Sequence, residues 1–278
     1  MRLDNVLAST IGVVALVIAA VLSWRERNRP LVLDRQLAPT ARASALDAIR
    51  VVASVMTAGF WSGLLVVGLG GRLVMRLLGA TSGDDAQGRI TDAGETVGEI
   101  TFGGTLGFII FAGLLIPVAS SFVYLIGRRI LPPRSWVAGL VFGLFLLATF
   151  GVDDPLDPDN VDFEILTPLP LAVLIIALTA LLFGTTFTAL ASRLDERLPA
   201  INESAAPRAK SSYASLIMLL NPAFALLAGV YVIGRALLRG RLRPTIMNSR
   251  VRIAGLAMVA IIALWSTVTV VRTATEIL

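Results

Sequence analysis

Seven stretches of this chain are each long and apolar enough to cross a lipid bilayer, at about 6–24, 51–71, 100–126, 136–152, 169–191, 213–235 and 253–272. A spanning helix needs about 20 mostly apolar residues to cross roughly 30 Å of hydrocarbon. A soluble domain of 278 residues has no interior that could hide seven of them. The expected fold is therefore all-α: a polytopic helical transmembrane bundle, residues 1–278 forming one integral membrane domain. The connecting segments are too short to bury a core of their own.

Composition agrees. Mean hydropathy is +0.81, 56% of residues are hydrophobic and 15% are charged. The net charge of +5 would suggest nucleic acid in a soluble protein. Here the basic residues flank apolar segments, so anionic lipid and topology account for them and no nucleic-acid partner is expected. Arginine outnumbers lysine 23 to 1, a bias of GC-rich bacterial genomes, and the expected location is a plasma (inner) membrane.

The absence of Cys and His removes thiol nucleophiles, disulfides, His-ligated haem, His-based zinc sites and Ser-His-Asp triads. No phosphate-binding glycine loop ending in Gly-Lys-Ser/Thr is present. No cofactor is expected. The single lysine, Lys210, lies in a connecting loop, which excludes a Schiff base within the bundle. The first segment has Arg2 and Asp4 before it, Arg25, Arg27 and Arg29 after it, and no Ala-x-Ala cleavage site. It reads as a retained helix with its N-terminus outside.

With that orientation, thirteen basic residues fall inside through segment five: six from Arg25 to Arg50, three from Arg128 to Arg134, and Arg193, Arg197, Arg208 and Lys210. Four fall outside, and the outer loops are acidic, with Asp84, Asp85, Asp92, Glu95 and Glu99 in one and Asp153 to Glu164 in the other. Segment six breaks this pattern. If 213–235 crosses, the tally of the whole chain becomes 14 inside to 10 outside; if it turns back, the tally is 19 to 5. Asn221-Pro222 supplies a place to turn, because proline lacks a donor and clashes with the preceding helical turn. Segment 213–235 is thus re-entrant or proline-kinked, and the bundle has six or seven spans. A third option lays part of 229–245 flat on the inner surface as a basic amphipathic segment.

The leading site lies at Arg72 and Arg76. If helix two starts near Arg50, Arg72 lies 22 residues on, about 33 Å along the axis and at the outer boundary. Arg76 follows one turn later on the same face. Glu95 and Glu99 share that spacing before helix three, and Arg89 and Asp92 lie between. Guanidinium forks match carboxylates and phosphates. The six residues form either an ion-pair clamp between helices two and three or an outer site for an anion, a lipid head group or a partner's acidic segment.

The leading function is a non-enzymatic membrane protein binding a ligand, lipid or partner there. The first alternative is a channel or facilitator-type permease with Asn221 and Pro222 at its pore. The second is a lipid-phosphate enzyme using Glu95, Glu99, Asp92 and Asp153, with Arg72 and Arg76 holding phosphate. No ionisable residue sits near the centre of a predicted span, which weakens ion-coupled transport.

Within the apolar segments, three Gly-x-x-x-Gly pairs, Gly59/Gly63, Gly103/Gly107 and Gly139/Gly143, favour close helix packing within the chain or at a homo-oligomer seam. Asn221-Pro222-Ala223 resembles the half-helix signature of aquaporins over three residues; it occurs once, where that fold needs two copies.

Overall fold

The computed structural model describes residues 3–30, 40–91, 94, 96–97, 101–198, 213–246 and 249–278, and the side chains among them except at 3–7, 238–246, 249–252 and 256. Among them there is no strand, only the isolated bridges Pro30–Arg134 and Ile90–Thr96. Seven helices carry the fold: α1 Leu3–Arg25, α2 Ala41–Thr81, α3 Phe102–Gly127, α4 Ser135–Gly151, α5 Leu169–Arg197, α6 Pro222–Ile246 and α7 Ser249–Ile277. The described residues of α1, α2, α3, α5 and α7 are long and apolar enough to cross a membrane. Helix α4 is shorter, and α6 follows a 3₁₀ turn, Ala214–Leu220, from which it bends by 113°.

Helix α2 departs most from the 51–71 expected. It starts at Ala41, where the Thr40 hydroxyl accepts from the Ala43 amide, and continues for 41 residues, about 60 Å. A hydropathy window stops at Asp47, Arg50, Arg72 and Arg76. The helix does not, because each of these side chains finds a partner on another helix or in its own turn. Within it, Gly63–Gly70 are wound as π-helix, as are Phe111–Leu115 in α3 and Leu147–Gly151 in α4. The first two face each other: a Cβ on Gly113 would lie 2.8 Å from the Gly68 Cα. Pro117 lies just beyond the π stretch of α3, where the widened turn accommodates the missing N–H.

Helices α1, α3 and α5 run antiparallel to α2. Ser9 meets Arg76 and Leu16 meets Gly70; Ser121 donates to the Val55 carbonyl; and Thr167, Phe187 and Asp195 lie beside Ser82, Gly59 and Arg50 respectively. Helix α4 packs antiparallel on α5 through Gly139, Gly143 and Gly184. A Cβ on Gly184 would sit 2.3 Å from the Gly139 carbonyl oxygen. The core between α2, α3, α4 and α5 is aromatic, with Phe187 at 5.0 Å from Tyr124 and 5.2 Å from Phe142, centroid to centroid.

Two of the three glycine pairs, Gly59/Gly63 and Gly139/Gly143, are therefore filled within the chain. A Cβ at Gly103 or Gly107 would meet nothing within 4 Å among the described residues, and the pair flanks the exposed Phe102, Leu106 and Ile110.

Candidate functional site

The charged side chains collect at the two ends of the bundle. At one end, Arg50 on α2, Arg128 after α3 and Asp195 on α5 are 3%, 5% and 4% exposed. Asp195 Oδ2 accepts from Arg128 Nη2 at 3.1 Å. Its Oδ1 pairs with Arg50 Nη2 at 3.2 Å without hydrogen-bond alignment, and its main-chain oxygen accepts from Arg50 Nη1. Arg50 also donates to Asp47 Oδ1 from Nε at 3.2 Å and Nη2 at 3.0 Å, one turn back on the same helix. Asp47 Oδ2 accepts from Arg235 Nη2 on α6 at 2.7 Å, and Arg235 Nη1 donates to the Tyr231 hydroxyl. Three guanidiniums and two carboxylates thus join α2, α3, α5 and α6 in one layer, buried at Arg50, Arg128 and Asp195 and half-buried at Asp47 and Arg235.

A second set lies beside it. Glu26, buried in the turn after α1, pairs with Arg29 and with Arg193 on α5, and Arg29 also pairs with Glu196. The main-chain oxygens of Arg27 and Arg29 accept from Trp136 and Ser135, fixing the start of α4 to the same layer.

Both ends of the broken segment 214–237 return to Asp47. Tyr213, just before the 3₁₀ turn, lies within electrostatic reach of Arg50 and Asp47, and burial pushes its hydroxyl pKa up. Arg235, thirteen residues beyond the bend, is paired with Asp47. Between them Ser215 donates to the Ala53 carbonyl at 3.1 Å and bonds Thr57 at 2.8 Å, while Phe224 stacks on Phe122 at 5.8 Å. Asn221 is the single extended residue between the arms (ψ 120°), and its side-chain oxygen accepts from the Ala223 amide, capping α6 with Pro222 in its first turn. The proline therefore starts a helix and does not kink one.

The other end holds the predicted arginines. Arg76 Nη1 donates to Ser9 on α1 at 2.7 Å. Arg72 lies over the Phe108 ring of α3, 5.1 Å from its centroid, and Nη1 is 4.0 Å from the Met75 sulfur. Both are half-buried, one turn apart, between α1 and α3. Arg89 Nη1 reaches the Glu164 carbonyl at 3.5 Å, in the second acidic loop and not beside Arg72. Asp92, Glu95 and Glu99 lie outside the described residues. In the loop 153–164, Asp157 and Asn160 accept from the main-chain amides of Asp159 and Asp162, and no three carboxylates converge among the described residues.

The Asp47–Asp195 layer is the part that charge counting passed over. A count of basic residues gives no weight to Asp47 and Asp195. The available signal was acidic residues standing inside basic flanks, Asp47 three before Arg50 and Asp195 within Arg193-Leu194-Asp195-Glu196-Arg197. No known protein family, curated protein or solved structure matches this chain.

Proposed function

We propose that the chain is a non-enzymatic multi-pass protein of the plasma (inner) membrane, N-terminus outside, with six crossings and a re-entrant hairpin over 214–237. Its outer face binds an anionic head group or the acidic segment of a partner protein. The hairpin reading is supported by Ser215 bonding Ala53 and Thr57 while Arg235 pairs with Asp47, all close together on α2, since a crossing segment would separate its two ends by the bilayer. It is supported too by the 19-to-5 charge tally. A single cysteine at Ser249 of this cysteine-free chain is expected to label from the cytoplasmic side alone; labelling from outside makes seven crossings.

The binding reading rests on Arg72 and Arg76. Two guanidiniums one turn apart are steadied by Phe108 and Ser9 at the end of the bundle away from the Asp47 layer. Cations seated where a span leaves the hydrocarbon suit phosphate or carboxylate. A hydrogen bond to a charged group contributes about 1.5–3 kcal/mol. Replacing both arginines by alanine is therefore expected to weaken retention of a co-purifying lipid or protein by about 100-fold or more, read by mass spectrometry after gentle purification. Unchanged retention with a lowered melting temperature would make the cluster a structural clamp.

A second reading, a facilitator for a small solute, is favoured by the exposure of Asn221, Pro222 and Ala223. Non-helical backbone at membrane depth is stable only against protein or water, not lipid. This reading expects solute flux in proteoliposomes that changes in Asn221→Ala. Flux no greater than in empty vesicles counts against it.

A further inference from the structure

The two arms of the broken segment are fastened differently. The first is held on α2 by Ser215, bonded to Thr57 and to the Ala53 carbonyl. The second, α6, packs on the bundle along one side, with Phe224 stacked on Phe122, Ala228 buried and Tyr231 and Val232 against the core, and ends where Arg235 meets Asp47 and Ser44 donates to the Arg235 carbonyl at 3.4 Å. Along its other side Leu226, Val230, Ile233 and Leu237 are exposed. The two arms join at Asn221, which is not helical, and α6 carries its own cap, so rotation about that residue breaks no hydrogen bond within α6.

We propose, on the reading of 214–237 as a re-entrant hairpin, that the Asp47–Arg235 pair is an exchangeable latch. When it opens, α6 swings from α2 about Asn221, and the phosphate of an anionic inner-leaflet lipid replaces Asp47 on Arg235. Breaking a buried ion pair is normally costly because one charge is left without a partner. Asp47 avoids this. Its Oδ1 is held by Arg50 through two hydrogen bonds within the same helix turn, and only Oδ2 serves Arg235. The departing partner is also suited to leave. Arginine carries its charge on a long apolar stem that reaches an interface from a buried backbone, and Leu237, two residues on, is already 77% exposed. Arg239, Arg241 and Arg243 follow in the same helix, the type of sequence that draws anionic lipid to the surface beside it.

The test uses spin labels on cysteines at Leu237 of α6 and at the exposed Ile126 of α3, with distances measured by double electron–electron resonance in nanodiscs. In phosphatidylcholine one distance is expected. A second population, displaced by about one helical turn or more, roughly 5 Å, should grow with the phosphatidylglycerol fraction, and should be present without it in Asp47→Asn. In Arg235→Gln the distance distribution should no longer depend on lipid charge. A single unchanged distance in every lipid and variant overturns the latch. A lipid response that persists in Arg235→Gln also overturns it, assigning the effect to the basic stretch beyond. The same opening caused by inorganic phosphate in phosphatidylcholine overturns the lipid assignment. Failure of the hairpin itself reads differently: a cysteine at Ser249 would then label from outside, whatever the distances.

Discussion

Asp195→Ala is expected to destabilise the purified protein by about 3–5 kcal/mol, the cost of removing one partner from a buried ion pair. The carboxylate sits between Arg50 and Arg128, and all three side chains are almost fully buried. Without it, Arg128 loses the Asp195 carboxylate, and Arg50 keeps Asp47 and the main-chain oxygen at 195. Arg50 of α2 and Arg128 after α3 then face one another without a carboxylate between them in a poorly solvated layer. The same physics predicts a rescue. Replacing Asp195 by leucine and Arg128 by methionine together should recover most of the loss, because apolar packing removes the penalty of both buried charges. Thermal unfolding in detergent, with monodispersity on a sizing column as a second readout, checks both variants. The control is Glu276→Ala, which removes the exposed partner of Arg272 and should change stability by no more than about 1 kcal/mol. Equal losses from Asp195→Ala and Glu276→Ala would mean that the buried layer does not hold this end together.

Gly184→Val is expected to abolish assembly of the α4–α5 pair, and Gly184→Ala to cost about 1–3 kcal/mol or more. A Cβ at this position meets the Gly139 carbonyl oxygen at 2.3 Å, the Gly143 nitrogen at 2.6 Å and the Gly143 Cα at 2.7 Å. All three are backbone atoms, so no side-chain rotation relieves the clash; the helices must separate. Separation would uncover Phe142 and Phe187, whose tilted rings meet across this contact at 5.2 Å. Gly107→Ala is the matched comparison. A Cβ there meets nothing within 4 Å, and replacing a helical glycine by alanine favours the helix by about 0.5–1 kcal/mol. Yield of monodisperse protein and melting temperature should move in opposite directions for the two positions. If Gly184→Ala behaves like Gly107→Ala, the two backbones are not in contact.

The glycine pairs also show where sequence reading reaches its end. The four-residue spacing marks all three as capable of close packing, yet Gly59/Gly63 and Gly139/Gly143 are filled and Gly103/Gly107 is open. Spacing describes one helix face; which neighbour meets it depends on the order of helices around the bundle. The arginines behave likewise. Arg72 and Arg76 stand one turn apart on one helix face, as their spacing requires, but their neighbours Phe108 and Ser9 come from helices 36 and 67 residues away in the chain. Arg50 carried no special mark, since an arginine at a helix start reads as a topology signal. Only its placement beside Asp195, 145 residues on, turns it into the centre of a buried layer.

Hydrophobic length alone determined that the described residues are helical, with long apolar helices near most of the expected positions, because a run of apolar side chains long enough to cross hydrocarbon has no stable alternative once its backbone must satisfy its own hydrogen bonds. The break at Asn221-Pro222 was equally local, since it depends on a missing N–H and a cap only two residues away. Tertiary structure decided what the charges do. A carboxylate and a guanidinium favour one another only within a few ångströms, and sequence separation says nothing about that distance. The pairing of α6 with Asp47, the Asp195 layer and the continuation of α2 through its own charged residues all follow from which helices lie side by side.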